Sequence, residues 1–195
     1  MALLRTATSS DLGPVIQTDR VLLRTPQMSD YADWAELRSA SHDFLTPWEP
    51  VWAADELTRS SFRRRVRHYL RDLREDMGYA LFIFSASSGS LVGGLTLCNV
   101  RRGVTQACTL GYWIGAQHAR KGYMTAAVRA VIPFVFDSLE LHRLEAACLP
   151  ANVASIKLLE RTGFTREGMA RRYLKINGVW QDHLLYALLE SDSLR

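Results

Sequence analysis

Three apolar runs, "YALFIF" (79–84), "LVGGLTLCNV" (91–100) and "QACTLGYWIG" (106–115), follow one another with only the polar breaks "SASSGS" and "RRGVT" between them. Runs of this length, rich in β-branched and aromatic residues and bounded by turn residues, read as strands. The third leads directly into "HARKGYMTAAV" (118–128), where a glycine and two cations stand between a strand and a helix that continues to about Ser138. This strand block is the centre of the chain, and the flanking segments have to cover it. "DRVLLRT" (19–25) reads as an earlier strand, and Ser29 is placed to cap a helix reaching about Ala40. "HDFLTPWEP" (42–50) reads as a loop, because its two prolines remove donors and restrict the backbone. From Asp55 to Met77 the residues Phe62, Val66, Tyr69, Leu73 and Met77 recur at helical spacing, which predicts a second amphipathic helix with arginines outward.

After the central block come a strand, "HRLEAACL" (142–149), and a helix, "NVASIKLLERTG", with Asn152 suited to its N-cap and Gly163 to the position after its end. Strands around "FTREGM" and "RRYLKI-NG-VWQDHLLYAL" close the chain, joined at Asn177-Gly178, a strong hairpin signal. The order β-α-α-β-β-β-α-β-α-β-β implies an α/β (α+β) fold, a mixed sheet with helices on both faces. The 195 residues suffice for one domain with a sizeable core, here 19–195 after an extension over 1–18.

Charge and cysteine usage narrow the function classes. The net charge is +4, and much of the excess lies in "RSSFRRRVRHYLRDLRE". That segment is either a solvated helix face or a surface drawn to an acidic partner, such as a ribosome or a cofactor's phosphates. Three cysteines, Cys98, Cys108 and Cys148, lie inside apolar strand-like runs, which fits reduced thiols in a cytoplasm better than a disulfide framework. No apolar run approaches the roughly 18 residues that span a bilayer, and "MALLRTATSSDLGP" has no long apolar h-region, so neither a membrane partner nor a leader is expected. The five histidines show no metal-ligand spacing, so no metal is expected. No motif points to specific DNA binding.

A strand ending at Gly115, a short loop and a helix starting near Gly122 form a layout suited to phosphate. The free N–H groups of a first helical turn carry partial positive charge, and glycine lets an anion approach the backbone. Arg120 and Lys121 add formal charge. The same arrangement also arises as plain loop geometry. Neither a Walker loop nor a dinucleotide fingerprint is present. In "PANVASIKLLERTGF" (150–164) an asparagine stands at a second strand-to-helix junction, where its amide caps the helix or binds a ligand.

These two segments and their separation resemble the GNAT superfamily of acetyl-CoA-dependent N-acetyltransferases. "DRVLLRTP", "DFLTPWEP", "GYWIGAQHARKGYMTAAV" and "HRLEAACLPANVASIKLLERTGFTREGMARRYLKINGVWQDH" are similar to its RimJ/RimL branch, which acetylates N-terminal α-amines of ribosomal proteins. The "TPWEP" loop and the "NGVWQDH" hairpin resemble the alanine-specific members. The resemblance implies a mostly antiparallel central sheet and acetyl-CoA as co-substrate, with a ribosomal protein's N-terminus as acceptor and contact with the ribosome surface. It implies that Trp113, Ile114 and Gly115 supply the strand that pairs with pantetheine and the acetyl carbonyl. Arg120, Lys121, Gly122, Tyr123, Met124 and Thr125 would cradle the pyrophosphate, and Asn152 would contact the pantetheine arm. The chain departs from the general pattern at Ala119, where glutamine or arginine is usual, and at Met124, where glycine or alanine is commoner. Backbone contacts survive such changes.

The resemblance further implies direct attack of an amine on the thioester, with no acyl-enzyme. That chemistry needs a neutral amine, an oxyanion donor and help for the departing thiolate. A main-chain N–H near Ile114 is the natural oxyanion donor. The tyrosine that many relatives place seven residues after the asparagine is Leu159 here; Ser155 is what RimJ/RimL-like enzymes offer instead, as acid or merely as a packing or capping residue. A glutamate carried by some N-terminal acetyltransferases aligns with Ala147. Glu49, Tyr173 and Asp182 remain as base candidates, though Glu49 and Asp182 suit binding a cationic N-terminus or structural hydrogen bonds equally well. Trp48, Trp52 and Tyr173 line an acceptor cleft or pack structurally. An α-amine with a pKa of about 7.7–8.0 costs only roughly 1–1.4 kcal/mol to deprotonate at pH 7, against about 4.6 for a lysine. A missing strong base therefore fits an N-terminal acceptor better than a lysine. A small amine (amino sugar, polyamine or toxin) is the alternative acceptor, and a non-catalytic ribosome- or RNA-binding module the alternative class.

Overall fold

In the computed structural model, which describes residues 3–5 and 13–192, nine strands form one sheet in the order β1-β2-β3-β4-β5-β6-β7-β9-β8. The strands are β1 Leu3–Arg5, β2 Val15–Gln17, β3 Val21–Arg24, β4 Tyr79–Ser85, β5 Leu91–Arg101, β6 Ala107–Ile114, β7 Arg143–Cys148, β8 Thr165–Ile176 and β9 Val179–Leu189. All neighbours pair antiparallel except β6 and β7. The stretch 1–18, expected to be an extension, contributes two short strands, β1 at the sheet's edge and β2 next to it. At three residues each they are too short to show a period.

Alternation along β4 divides the core. Leu81 and Ile83 face a large cluster under α4 (Tyr123–Pro133) and α5 (Val153–Arg161). Phe82 and Phe84 face a second cluster, with Trp34 and Leu37 of α1 (Tyr31–Ala40) and Phe62 and Val66 of α3 (Arg59–Arg74). Helices therefore cover both faces, and a strand of near-continuous apolar character is what that burial requires.

Several local expectations need correcting. Ser29 does not cap α1: it lies in a 3₁₀ turn (Met28–Asp30), and the Asp30 carboxylate accepts from the Gln27 amide at 2.7 Å while Arg24 grips both its oxygens. The loop at 42–50 holds a helical turn, α2 (His42–Leu45), followed by a 3₁₀ turn at Thr46–Trp48. α3 starts at Arg59, capped by the Thr58 hydroxyl, and stops at Arg74, leaving Met77 exposed rather than on the buried face. Asp55 and Glu56 lie outside it and pair instead with Arg64 and Arg65, which neutralises part of its basic face. The helix expected to reach Ser138 is α-helical only to Pro133 and ends in a π-helical turn. Proline cannot donate the i→i−4 bond, and the last turn widens until Leu139 reaches the Phe134 carbonyl. "FTREGM" and "RRYLKI" form one strand, β8, broken by bulges after Arg166 and Ala170.

Other expectations hold. Asn152 caps α5, accepting from the Ser155 amide at 3.0 Å, and Gly163 follows with φ +94°. Asn177 and Gly178 turn the last hairpin with φ of 44° and 79°, the paired left-handed conformation of a tight hairpin turn.

Phe62 is fully buried, its ring 4.8 Å from that of Trp34 and 6.2 Å from that of Phe82. Phe62→Ala is expected to cost about 3–5 kcal/mol of stability, read as a fall in the urea midpoint without a change of slope.

Candidate active site

The site begins where two strands part. β6 and β7 run parallel, paired from Ala107↔Arg143 to Leu110↔Ala146, and no further. Neither strand stops there: β6 stays paired with β5 to Ile114↔Gly93, and β7 with β9 to Cys148↔Leu184. The sheet splays open between the ends of β6 and β7, leaving backbone groups on the facing edges without ladder partners. The Gly115 amide donates to the Val92 carbonyl across to β5 at 2.9 Å. Alternation in an antiparallel ladder then turns the main-chain groups of Gly111 and Trp113 to β5 as well, and those of Tyr112 and Ile114 into the splay. At Gly111 an added Cβ would meet nothing within 4 Å, so the face of the sheet above this residue is uncovered.

Beyond β6, α1 fixes the chain's direction. Ser41 at its end accepts from the Ala116 amide at 2.9 Å, and Leu37 lies so close to Gly115 that a Cβ there would come within 2.4 Å. The loop then passes through left-handed conformations at Arg120 (φ 60°) and Gly122 (φ 82°) before α4 starts at Tyr123. Among the described residues the amides of 120–125 make no hydrogen bond, and six free donors lead into the positive end of an 11-residue helix. That is the electrostatic shape of an anion site. The sequence reading missed Arg20: from the β2–β3 turn it donates to the Lys121 carbonyl at 2.8 Å and approaches the Tyr123 ring. Burial, then the charge of Lys121, holds His118 below its ordinary value, so the loop's cationic character rests on Arg20, Arg120 and Lys121.

Ser155 closes the inner end of the splay. Its hydroxyl lies 2.5 Å from the Tyr112 hydroxyl and interacts with the Cys148 thiol. Tyr112 and Cys148 each lie two residues past the last β6–β7 pair, Leu110↔Ala146, so the serine bridges the diverging strands. Burial pushes the Tyr112 phenol well above its ordinary value, against the opposing effect of its bond to Ser155, and burial likewise raises the Cys148 thiol. Both stay protonated at neutral pH. Tyr112 escaped the sequence reading because that reading sought a tyrosine on α5, where Leu159 is buried in the core.

Elsewhere the β8–β9 hairpin tip docks on the 46–51 loop, with the Asn177 amide donating to the Glu49 carbonyl at 2.9 Å. Between them and the β7–α5 loop lies a pocket of about 530 Å³ lined by Trp48, Trp180, Arg172 and Asp182, with Pro47 and Leu149 to Ala151. Trp48 and Asp182 are thus brought together, while Tyr173 does not line the pocket and instead sets its ring edge-on to His183. Asp182 also accepts from the Arg172 amide in the β8 bulge at 2.8 Å. Glu49 is committed elsewhere: Arg38 forks both its oxygens at 2.7 Å and Trp52 donates to one of them at 2.8 Å. Arg38 is buried between the Trp52 and Trp113 rings, so Glu49 and Trp52 fasten the loop to α1 and β6. Trp180 and Arg172 are pocket residues the sequence reading did not name. No cluster of three or more His, Cys, Asp or Glu side chains able to hold a metal occurs among the described residues. No helix among them is long and apolar enough to cross a membrane.

Residues 20–165 match the family model for the acetyltransferase (GNAT) domain. A probable N-acetyltransferase of Bacillus subtilis, YjcK, is 38% identical over 172 residues, covering 88% of this chain and 95% of that protein. The [ribosomal protein uS5]-alanine N-acetyltransferase of Escherichia coli is 33% identical over 177 residues, 91% of each chain. The solved structure of Mycobacterium smegmatis RimJ in complex with CoA-disulfide superposes with a TM-score of 0.85 at 31% identity, covering 94% of this chain and 89% of that one.

Gly122→Ala forces a side chain into the left-handed region, a strain of about 1–2 kcal/mol. Calorimetry is expected to show coenzyme A binding weakened about tenfold by this substitution, with the thermal midpoint moved by only a few degrees.

Proposed function

The chain belongs to the acetyltransferase (GNAT) domain family, and from that premise we propose that it acetylates the N-terminal α-amine of a ribosomal protein beginning with alanine. It is an acetyl-CoA-dependent N-acetyltransferase of GNAT type. The observation that carries the cofactor half of the proposal is the open β6 edge running into the six unbonded amides of 120–125. Those residues fit the co-substrate: free donors and flanking cations for a diphosphate, then an extended edge for an arm bearing amides. The bound co-substrate supplies an acetyl group activated by a good leaving thiol. The Tyr112 main chain holds the extended arm, and the Ile114 amide meets the carbonyl oxygen as negative charge develops on it. Ser155, between the strand ends, is the hydroxyl we assign to the leaving sulfur.

The acceptor half rests on the pocket. Its two tryptophans suit the backbone and small side chains of a peptide's first residues, and Asp182 is the carboxylate we assign to the arriving cationic terminus. Glu49 belongs to the loop's anchorage, and Tyr173 lies outside the pocket lining. The α-amine then loses its proton to water, a small cost at neutral pH. The relatives bearing ribosomal-protein names, among them the Escherichia coli enzyme, support this acceptor class, and a cytoplasmic setting belongs to the same reading. Contact of the α3 arginines with the ribosome surface belongs to the same reading.

Peptides beginning with alanine are expected to be acetylated with kcat/KM at least tenfold above polyamines, amino sugars or internal lysines. Their kcat/KM should rise with pH until the amine's own pKa, about 7.7–8.0, and then level. A preference for free small amines contradicts the proposal. In cells, mass spectrometry of ribosomal proteins from a strain lacking this chain identifies the acceptor as the N-terminus that loses its acetyl group.

A further inference from the structure

We infer that Tyr112 is a positioning residue for Ser155, and that the two hydroxyls stabilise the departing sulfur by hydrogen bonding without surrendering a proton. The inference rests on the acetyl transfer proposed above and deepens it. Geometry comes first. A serine hydroxyl has one proton to give and two lone pairs to receive. At 2.5 Å from the Tyr112 oxygen it is too close for an incidental contact. Either hydroxyl can donate across this contact; with the more acidic phenol donating into Ser155 Oγ, the serine's own proton is left to be given elsewhere. Asn152 Oδ1 accepts from the Ser155 amide, which fixes the serine's backbone. The Cys148 thiol beside Ser155 stays neutral, so it offers the serine proton no charge to compete with a thiolate. The remaining direction is the gap between β6 and β7.

Chemistry decides between donor and acid. Attack forms the N–C bond and breaks the C–S bond, and the bonding pair leaves on sulfur. A free thiol has a pKa near 8.5. Burial has pushed the Tyr112 phenol above its ordinary 10, so a proton passed along the chain from Tyr112 through Ser155 to sulfur would run uphill and leave a phenolate in an apolar site. Both hydroxyls keep their protons; the amine's proton leaves to water, and the thiolate takes one from water on release. Tyr112 polarises Ser155, strengthening the bond that Ser155 gives to the sulfur.

The test is a double-mutant cycle of Tyr112→Phe and Ser155→Ala, following thiol release with acetyl-CoA and an alanine-starting peptide from pH 6 to 10. Tyr112→Phe is expected to lower kcat about five- to tenfold at every pH, the worth of one neutral hydrogen bond. KM for acetyl-CoA and the calorimetric affinity for coenzyme A should stay within twofold, which a packing defect would not allow. The double variant should be no slower than Ser155→Ala alone, because one unit has been broken twice. Wild-type kcat should stay level to pH 10. Losses that multiply in the double variant, or a Tyr112→Phe enzyme with wild-type kcat, overturn the inference. So does a basic limb in wild-type kcat that vanishes in Ser155→Ala, which would make the pair a true acid. A wild-type chain that binds coenzyme A yet releases no thiol with any amine overturns the acetyltransferase reading itself, an outcome distinct from the others.

Discussion

The early end of the β6–β7 ladder is the constraint on which the rest depends. Past Leu110↔Ala146 β6 stays held by β5 as far as Ile114 and β7 by β9 as far as Cys148, so neither can swing back to close the gap. Unpaired backbone donors and acceptors in a protein's interior must find partners, and here the partners have to come from outside the sheet. An extended ligand with amides of its own serves, because it restores the ladder that the fold has interrupted.

Elements that look unrelated in sequence turn out to hold that gap open and aim it. α1 presses Leu37 against Gly115 and ties the following loop through Ser41, while Arg38 stacks on Trp113 from the same helix. α5 places Ser155 between the parted strands, braced by Tyr112 on one and Cys148 on the other. α4 points its first turn at the same opening, and Arg20 anchors the turn's approach. On the far side the β8–β9 hairpin and the 46–51 loop meet around the pocket proposed for the acceptor. A charged buried pair, Arg38 with Glu49, is an expensive way to fasten that loop unless its hydrogen bonds are nearly all satisfied. Here two forked bonds, a tryptophan donor and two aromatic faces do so, leaving Arg38 Nε as the one buried polar side-chain atom of this pair without a partner among the described residues.

Local signals carried much of this. Asn152 as a cap, Gly163 after the helix, Asn177-Gly178 as a turn and the helix opening at Gly122 all follow from chemistry within a few residues, and each stands where the sequence placed it. Long-range pairings did not show. Tyr112 and Ser155 are 43 positions apart, and Arg20 and Lys121 are 101 apart, so no spacing rule links them. Glu49 carried the right charge for a catalytic carboxylate, but only the packing of α1 reveals that Arg38 occupies it. The short strand β2 and the helical turn α2 fall below the length at which periodicity speaks. The parting of β6 from β7 is likewise invisible locally, since both segments read as ordinary strands to their ends.

Amide hydrogen exchange with and without saturating coenzyme A tests the central claim most directly. If the splayed edge and the α4 turn hold the ligand through their main chain, peptides covering 111–125 should slow by at least about tenfold while those of β3 and β4 stay unchanged. Unaltered exchange across 111–125 under saturation, or protection concentrated elsewhere, would contradict it.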